Sequence, residues 1–425
     1  MVISFRLSLS ILLLLLLHAL FSADANSHWT VNSLPGFSGE LPFSLETGYV
    51  GVGDWEEFQL FYYFIKSYSN PKTDPLVLWL TGGPGCSALS GLAFESGPIN
   101  FEGEVKEGSV PEVVINPYSW TQIYLLAPVF RMLKLPKIIN QEIANKFNIV
   151  FNFWKRCNTF FFFLLFLIVS NKKFISNLFY IAGNSYAGMI VPIVALTILE
   201  GTYKHIFSSI NFESLETSCQ GEYVNIDPNN VECLKHYDTY RKCTSGVGIG
   251  CILWPTCPSL KEPGKMSNRR SLNSISVNRK CRQYDAILAY RWANHDQVQK
   301  ALHIHEGSIE EWIRCRKNEY YNYELTSVFS YHVNLSSKGY RSLIYSGDHD
   351  MQVSHMETRA WIKALNYSIV DDWRPWFMED EVGGYTRSFA NNMAFVTVKG
   401  GGHTPEYARE ESSIVFKRWI IRESL

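Results

Sequence analysis

The sequence predicts an α/β fold built on a central, mostly parallel sheet, and three observations carry that reading. Short apolar runs recur at residues 75–80, 178–182, 341–346 and 393–398. Each ends in a glycine-containing turn, as expected of strands covered on both faces. The turns after the last three runs carry, in chain order, a serine, an aspartate and a histidine. Nucleophile, acid and base in that order at strand ends is the pattern of an α/β-hydrolase sheet. The chain has 425 residues, 46% of them apolar, which is enough for the core of one large domain.

From the N-terminus, residues 1–25 read as a secretory leader. Arg6 supplies a weak positive region, residues 9–17 an almost unbroken apolar stretch, and Ala23-Asp24-Ala25 the small residues of a cleavage site. The run is too short to cross a bilayer, so no stable membrane span is expected. Residues 26–425 then read as one discontinuous catalytic domain destined for the secretory pathway, extracellular or vacuolar. In that oxidising setting most of the nine cysteines should pair, and the odd count leaves at least one over. Asn334 and Asn366 head Asn-x-Ser glycosylation triplets. No CxxC tandem or histidine cluster suggests zinc, so neither a metal nor a cofactor is expected. A formal net charge of -1 lacks the basic excess of a nucleic-acid binder.

The run at 75–80 (PLVLWL) leads into Thr81-Gly82-Gly83-Pro84-Gly85-Cys86. Glycines there let backbone N–H groups approach a ligand closely. The run at 178–182 (LFYIA) leads into Gly183-Asn184-Ser185-Tyr186-Ala187-Gly188, a relative of the G-x-S-x-G nucleophile elbow. Small residues flank the serine because strand and helix pass close together, and the helix after it, beginning near 189, points its positive end at a new oxyanion. Ser185 is the expected nucleophile, and His403, after Gly400-Gly401-Gly402, the expected base. Asp348 is the expected partner of the imidazole because it stands next to the strand end, with His349 and Asp350 as alternatives. Backbone N–H groups of Tyr186 and Gly83 would form the oxyanion hole.

These blocks resemble the plant serine carboxypeptidase-like family. The resemblance rests on residues 34–52 (LPGFSGELPFSLETGYVGV), 78–92 (LWLTGGPGCSALSGL), GNSYAG, YSGDHDM, DDWRPW and VKGGGHT. It implies an α/β-hydrolase core with a helical, disulfide-containing insertion, here within 214–282. It also implies three disulfides, by position Cys86–Cys315, Cys219–Cys233 and Cys257–Cys281. Residues 261–280 form a basic loop similar to a linker that some members lose by cleavage. The family holds two chemistries on one triad: release of C-terminal residues from peptides, and transfer of an acyl group from a 1-O-acyl-glucose ester to an alcohol of a plant metabolite. Peptidase members resemble N-G-G-P-G and G-E-S-Y-A-G, with a further Glu beyond the glycine loop, and those three side chains bind the peptide carboxylate. Here Thr81 and Asn184 replace the Asn and one Glu, while Glu95 remains. Thr81, Gly82, Glu95 and Asn184 are thus the expected substrate-binding residues, and acyl transfer is the favoured chemistry, with carboxypeptidase action the alternative.

The chain departs from the family in two places. The resemblance stops after residue 129, and 130–173 contains FFFFLLFLIV at 160–169. That stretch reads as translated intron, because a pyrimidine tract encodes such a run; a buried segment of the cap is the competing reading. A deletion near 209–213 removes the strand that should lie beside the nucleophile strand, which would leave its neighbours with unpaired backbone groups. Ser354, in place of a usual Pro, and a shortened His403-Thr404-Pro405-Glu406 turn are smaller deviations. An inactive or mispredicted family member is therefore a further expectation to be tested.

Overall fold

A computed structural model describes residues 2–5, 28–52, 58–103, 108–122, 125–134, 177–200, 227–244, 248–252, 283–308, 311–315 and 327–425. The stretches 135–176 and 253–282, which hold most of the foreign segment and the basic loop, lie outside the described residues.

Thirteen strands occur in chain order among the described residues. They are β1 (Val2–Phe5), β2 (His28–Val31), β3 (Leu45–Val52), β4 (Phe58–Ile65), β5 (Leu76–Leu80), β6 (Ile99–Glu102), β7 (Glu112–Ile115) and β8 (Leu125–Lys134), followed by β9 (Phe179–Gly183), β10 (Ser342–Gly347), β11 (Ile369–Met378), β12 (Glu381–Phe389) and β13 (Met393–Val398). Seven α-helices accompany them among the described residues: α1 (Ala187–Glu200), α2 (Val231–Thr244), α3 (Gln283–Ala293), α4 (Asp296–Ala301), α5 (Phe329–Ser337), α6 (His355–Ala364) and α7 (Arg409–Ile421). Eleven of the strands form one sheet in the order β11-β12-β13-β10-β1-β9-β5-β8-β4-β3-β2, and β6 pairs with β7 alone.

The middle of the sheet is parallel where the apolar runs predicted it. β5 pairs in parallel with β8 and β9, and β10 in parallel with β13. Both β5 and β9 are buried at every position, which is why their sequences show no polar alternation. The period-2 geometry instead sorts their side chains between two cores. Val77, Trp79, Tyr180 and Ala182 join one, with Phe416 and Trp419 of α7. Leu76, Leu78, Phe179 and Ile181 join the other, with the Val191, Val194 and Ile198 stripe of α1. Antiparallel strands close both edges, β2–β3–β4 at one and β11–β12 at the other.

The position expected to stand empty beside the nucleophile strand is filled. β1 lies between β9 and β10 and is antiparallel to both, with Ile3 opposite Ile181 and Ser342. Phe179 to Ala182 of β9, and Ser342 and Leu343 of β10, thus find a partner, contrary to the expectation from the deletion. The partner comes from the segment read as a removable leader, of which 6–27 lies outside the described residues. No helix among the described residues is long and apolar enough to cross a membrane.

Candidate active site

Four loops converge at the carboxyl ends of the parallel strands. β5 delivers 81–86, β9 the Ser185 turn, β10 Asp348 to Asp350, and β13 the glycine run before His403. The Ser185 turn is an elbow in the structural sense, because Ser185 has φ +53°, a left-handed conformation costly for a residue with a Cβ. The neighbours explain how it is held. A Cβ on Gly183 would lie 2.8 Å from Leu80 O and from Ala187 Cβ, so only glycine fits there. Gly188, on the far side of the turn, faces open space instead. The small residue that the elbow requires after Ser185 is therefore Ala187, not Gly188.

Across the elbow, a Cβ on Gly82 would lie 2.6 Å from Ser185 Cβ and 2.9 Å from Tyr186 N. The glycine loop therefore packs directly on the nucleophile turn, which brings the segments of Gly83 and Tyr186, the two expected oxyanion donors, together. Gly83 has φ +130°, open to glycine alone.

Ser185 Oγ lies 2.7 Å from His403 Nε2, and His403 Nδ1 lies 2.9 Å from Asp350 Oδ2. Serine, imidazole and carboxylate form one line, with the Asp350 side chain only 5% exposed. The expectation of Asp348 is therefore corrected. The Asp348 N–H donates to Val398 O, so this residue still belongs to the β10–β13 edge. Its carboxylate accepts from Gly400 N–H at 2.8 Å and stands 3.8 Å from His349 Nε2. It shapes the glycine run that delivers His403 without reaching the imidazole. The chain turns for two more residues before a carboxylate faces His403, and Asp350 Oδ1 is fixed by the N–H groups of Gln352 and Val353.

Behind the elbow lies a buried polar relay. Gly82 N–H donates to Asn184 Oδ1 at 3.1 Å, and Asn184 Nδ2 donates to Glu95 Oε1 at 2.9 Å. Glu95 Oε2 accepts from Trp79 Nε1 at 3.1 Å. Burial pushes the Glu95 carboxyl up to about 7, against the pull of the Arg314 guanidinium 3.9 Å away. Arg314 also pairs with Glu406 at 2.7 Å, three residues beyond His403. Arg314 and Glu406 were not foreseen; the only sequence signal was that Arg314 adjoins Cys315 and Glu406 follows the histidine turn. Of the expected substrate residues, Gly82, Glu95 and Asn184 come together in this relay. Thr81 Oγ1 is buried and finds no hydrogen-bond partner among the described residues.

The disulfide Cys86–Cys315 is present and ties the glycine loop to the segment holding Arg314. Cys233 is disulfide-bonded as well, while Cys219, Cys257 and Cys281 lie outside the described residues. Asn366 sits exposed in a left-handed turn after α6, accessible for glycosylation. Asn334 lies inside α5 and is half-buried, a poorer acceptor geometry.

Comparison with known proteins agrees with this architecture. The model of the serine carboxypeptidase family matches residues 35–128, 154–216 and 201–422. The stretch 130–173 read as foreign is thereby narrowed, since its part from residue 154 onward falls within a match. Serine carboxypeptidase-like 7 of Arabidopsis thaliana is 42% identical over 460 residues, covering 98% of each chain. Serine carboxypeptidase-like 3 of the same plant is 41% identical over 459 residues, covering 97% of each. Among solved structures, Kex1(delta)p, a prohormone-processing carboxypeptidase from Saccharomyces cerevisiae, superposes with a TM-score of 0.61 at 17% identity, covering 89% of this chain and 92% of that one.

Proposed function

The chain belongs to the serine carboxypeptidase family, and within it we propose that Ser185, His403 and Asp350 catalyse acyl transfer from a 1-O-acyl-glucose ester to an alcohol of a plant metabolite. The observation that carries the reading of a working site is the line from Ser185 Oγ through His403 to Asp350. Ser185 Oγ attacks the ester carbonyl as His403 Nε2 takes its proton. The oxyanion is received by the N–H groups of Tyr186 and Gly83. Collapse expels the glucose oxygen, which takes the proton back from His403, and leaves an acyl-serine. The acceptor alcohol then gives its proton to His403 and attacks the acyl carbon, and as the bond to Ser185 breaks, Oγ takes that proton from His403. Asp350 holds the tautomer that presents Nε2 as base and steadies the imidazolium.

Transfer is favoured over peptide hydrolysis by the relay behind the elbow. Asn184 spends its side-chain oxygen on Gly82 and its NH₂ on Glu95, so no second acidic group is offered to a peptide carboxylate. A neutral sugar ester needs none. The carboxypeptidase reading draws support from Glu95, whose carboxyl stays protonated below about pH 7 and so has a proton to share with a carboxylate. Incubation of purified protein with a 1-O-acyl-glucose and an alcohol, in parallel with an N-blocked dipeptide, separates the two. Ester product without amino-acid release is the expected result. Release from the dipeptide alone would favour peptidase action, and neither, with Ser185→Ala indistinguishable from wild type, would mean an inactive chain.

A further inference from the structure

Residues 312–315 touch both the glycine loop and the histidine turn, and none of the roles above explains them. Their backbone is anchored away from the triad. Asn294, just after α3, accepts from Trp312 N–H through Oδ1 at 2.6 Å and donates from Nδ2 to Trp312 O at 2.9 Å. From that anchor the segment reaches the glycine loop. Ser87 N–H donates to Arg314 O at 2.7 Å, Trp312 Nε1 donates to Ser87 Oγ at 3.0 Å, and the Cys86–Cys315 bridge joins the same two segments. Cys86 in turn abuts the oxyanion side, because a Cβ on Gly83 would lie 2.8 Å from Cys86 N and 3.2 Å from its Sγ.

The Arg314 side chain continues this brace to the histidine turn. Its Nε donates to Ser90 Oγ at 3.1 Å, its Nη2 donates to Glu406 Oε2 at 2.7 Å, and its guanidinium lies 4.7 Å over the Phe94 ring. Glu95, the end of the relay that holds Gly82, stands 3.9 Å from the same Nη2. Ser90 and Glu406 are both buried, so these contacts are made where water competes little. Glu406 is joined to His403 by only Thr404 and Pro405, and the proline ring fixes φ in that link. A planar fork that holds Ser90 and Glu406 at once sets a spacing that a single ammonium group could not. We propose that Arg314 is a positioning residue: acting through Glu406, it sets where His403 stands relative to Ser185 and the glycine loop, without touching the substrate. The inference rests on the reading of Ser185 and His403 as nucleophile and base.

The test follows labelling of the full chain by a fluorophosphonate over a range of probe concentrations. The limiting rate, the half-saturating concentration and the final labelled fraction are then read separately. Wild type is compared with Arg314→Lys, which keeps the charge and loses the fork, with Glu406→Gln, and with the double variant. Each single substitution should lower the limiting rate at least about fivefold, since misplacing a catalytic group by about 1 Å costs up to about 10²-fold. The half-saturating concentration and the labelled fraction should stay at their wild-type values. The double variant should be no slower than the slower single one, because both substitutions remove the same support. A smaller loss in either single variant, or losses that multiply in the double variant, overturns the proposal. So does a reduced labelled fraction at an unchanged rate, since Arg314 would then act only on the fold. A raised half-saturating concentration alone also overturns it, by making Arg314 a substrate contact. Wild type unlabelled at any concentration removes the nucleophile reading, and this inference with it.

Discussion

Asp348 and Asp350 differ by two positions and by whether they meet the imidazole. Asp348 continues the strand ladder through Val398 and holds Gly400, while Asp350 is buried against His403 Nδ1. Asp350→Asn should therefore reduce kcat by about 10⁴-fold, because it stabilises the wrong tautomer. Asp348→Asn keeps an oxygen for Gly400 N–H and should cost less than about tenfold, the worth of roughly one ordinary hydrogen bond. Steady-state kinetics of the two variants on one ester checks this, and a larger loss in Asp348→Asn would reverse the assignment. Sequence alone favoured the aspartate nearest the strand end. The path of the chain after β10 decided otherwise, and no local pattern in Gly-Asp-His-Asp encodes where that turn aims each carboxylate.

At the scale of elements, the strands and the elbow were legible and one neighbour was not. The continuous apolar runs marked β5, β9, β10 and β13 within a residue of their ends, since burial on both faces leaves that signature. Gly183 was legible as well, because strand and helix leave no room for a Cβ there. Nothing in Val2–Phe5 announces a sheet strand, and its pairing with β9 and β10 is a long-range fact. A chain beginning at Asn26 would leave Phe179 to Ala182, and Ser342 and Leu343, without that partner, at about 1–3 kcal/mol for each buried group left unsatisfied. Amide exchange at 179–182 should accelerate in the shortened chain relative to the full one. Equal protection in both would show that β1 contributes nothing to the sheet.

For the whole molecule, the buried relay ties stability to pH. Glu95 is 2% exposed and its carboxyl is raised from 4.5 to about 7, chiefly by burial. Between those values the folded chain holds a proton that the unfolded chain has lost, so stability falls as pH rises through this window. The contribution is fully present below about 4.5 and gone above about 7. Denaturant titrations across and just beyond that window should show this decline in wild type and a flatter profile in Glu95→Gln, whose side chain cannot ionise. Parallel profiles in the two proteins would remove Glu95 as the cause.

The sequence by itself determined the parallel core, the candidate nucleophile and base, the Cys86–Cys315 bridge implied by the family resemblance, and the membership of that family. These follow from local burial, from turns that only small residues permit, and from motifs of fixed spacing. Tertiary structure alone decided which aspartate faces His403, what stands between β9 and β10, and how Arg314 joins Glu95 to Glu406. Each of those joins residues far apart in the chain through backbone paths and buried polar contacts, and no periodicity or spacing in one segment records where a distant segment will come to rest.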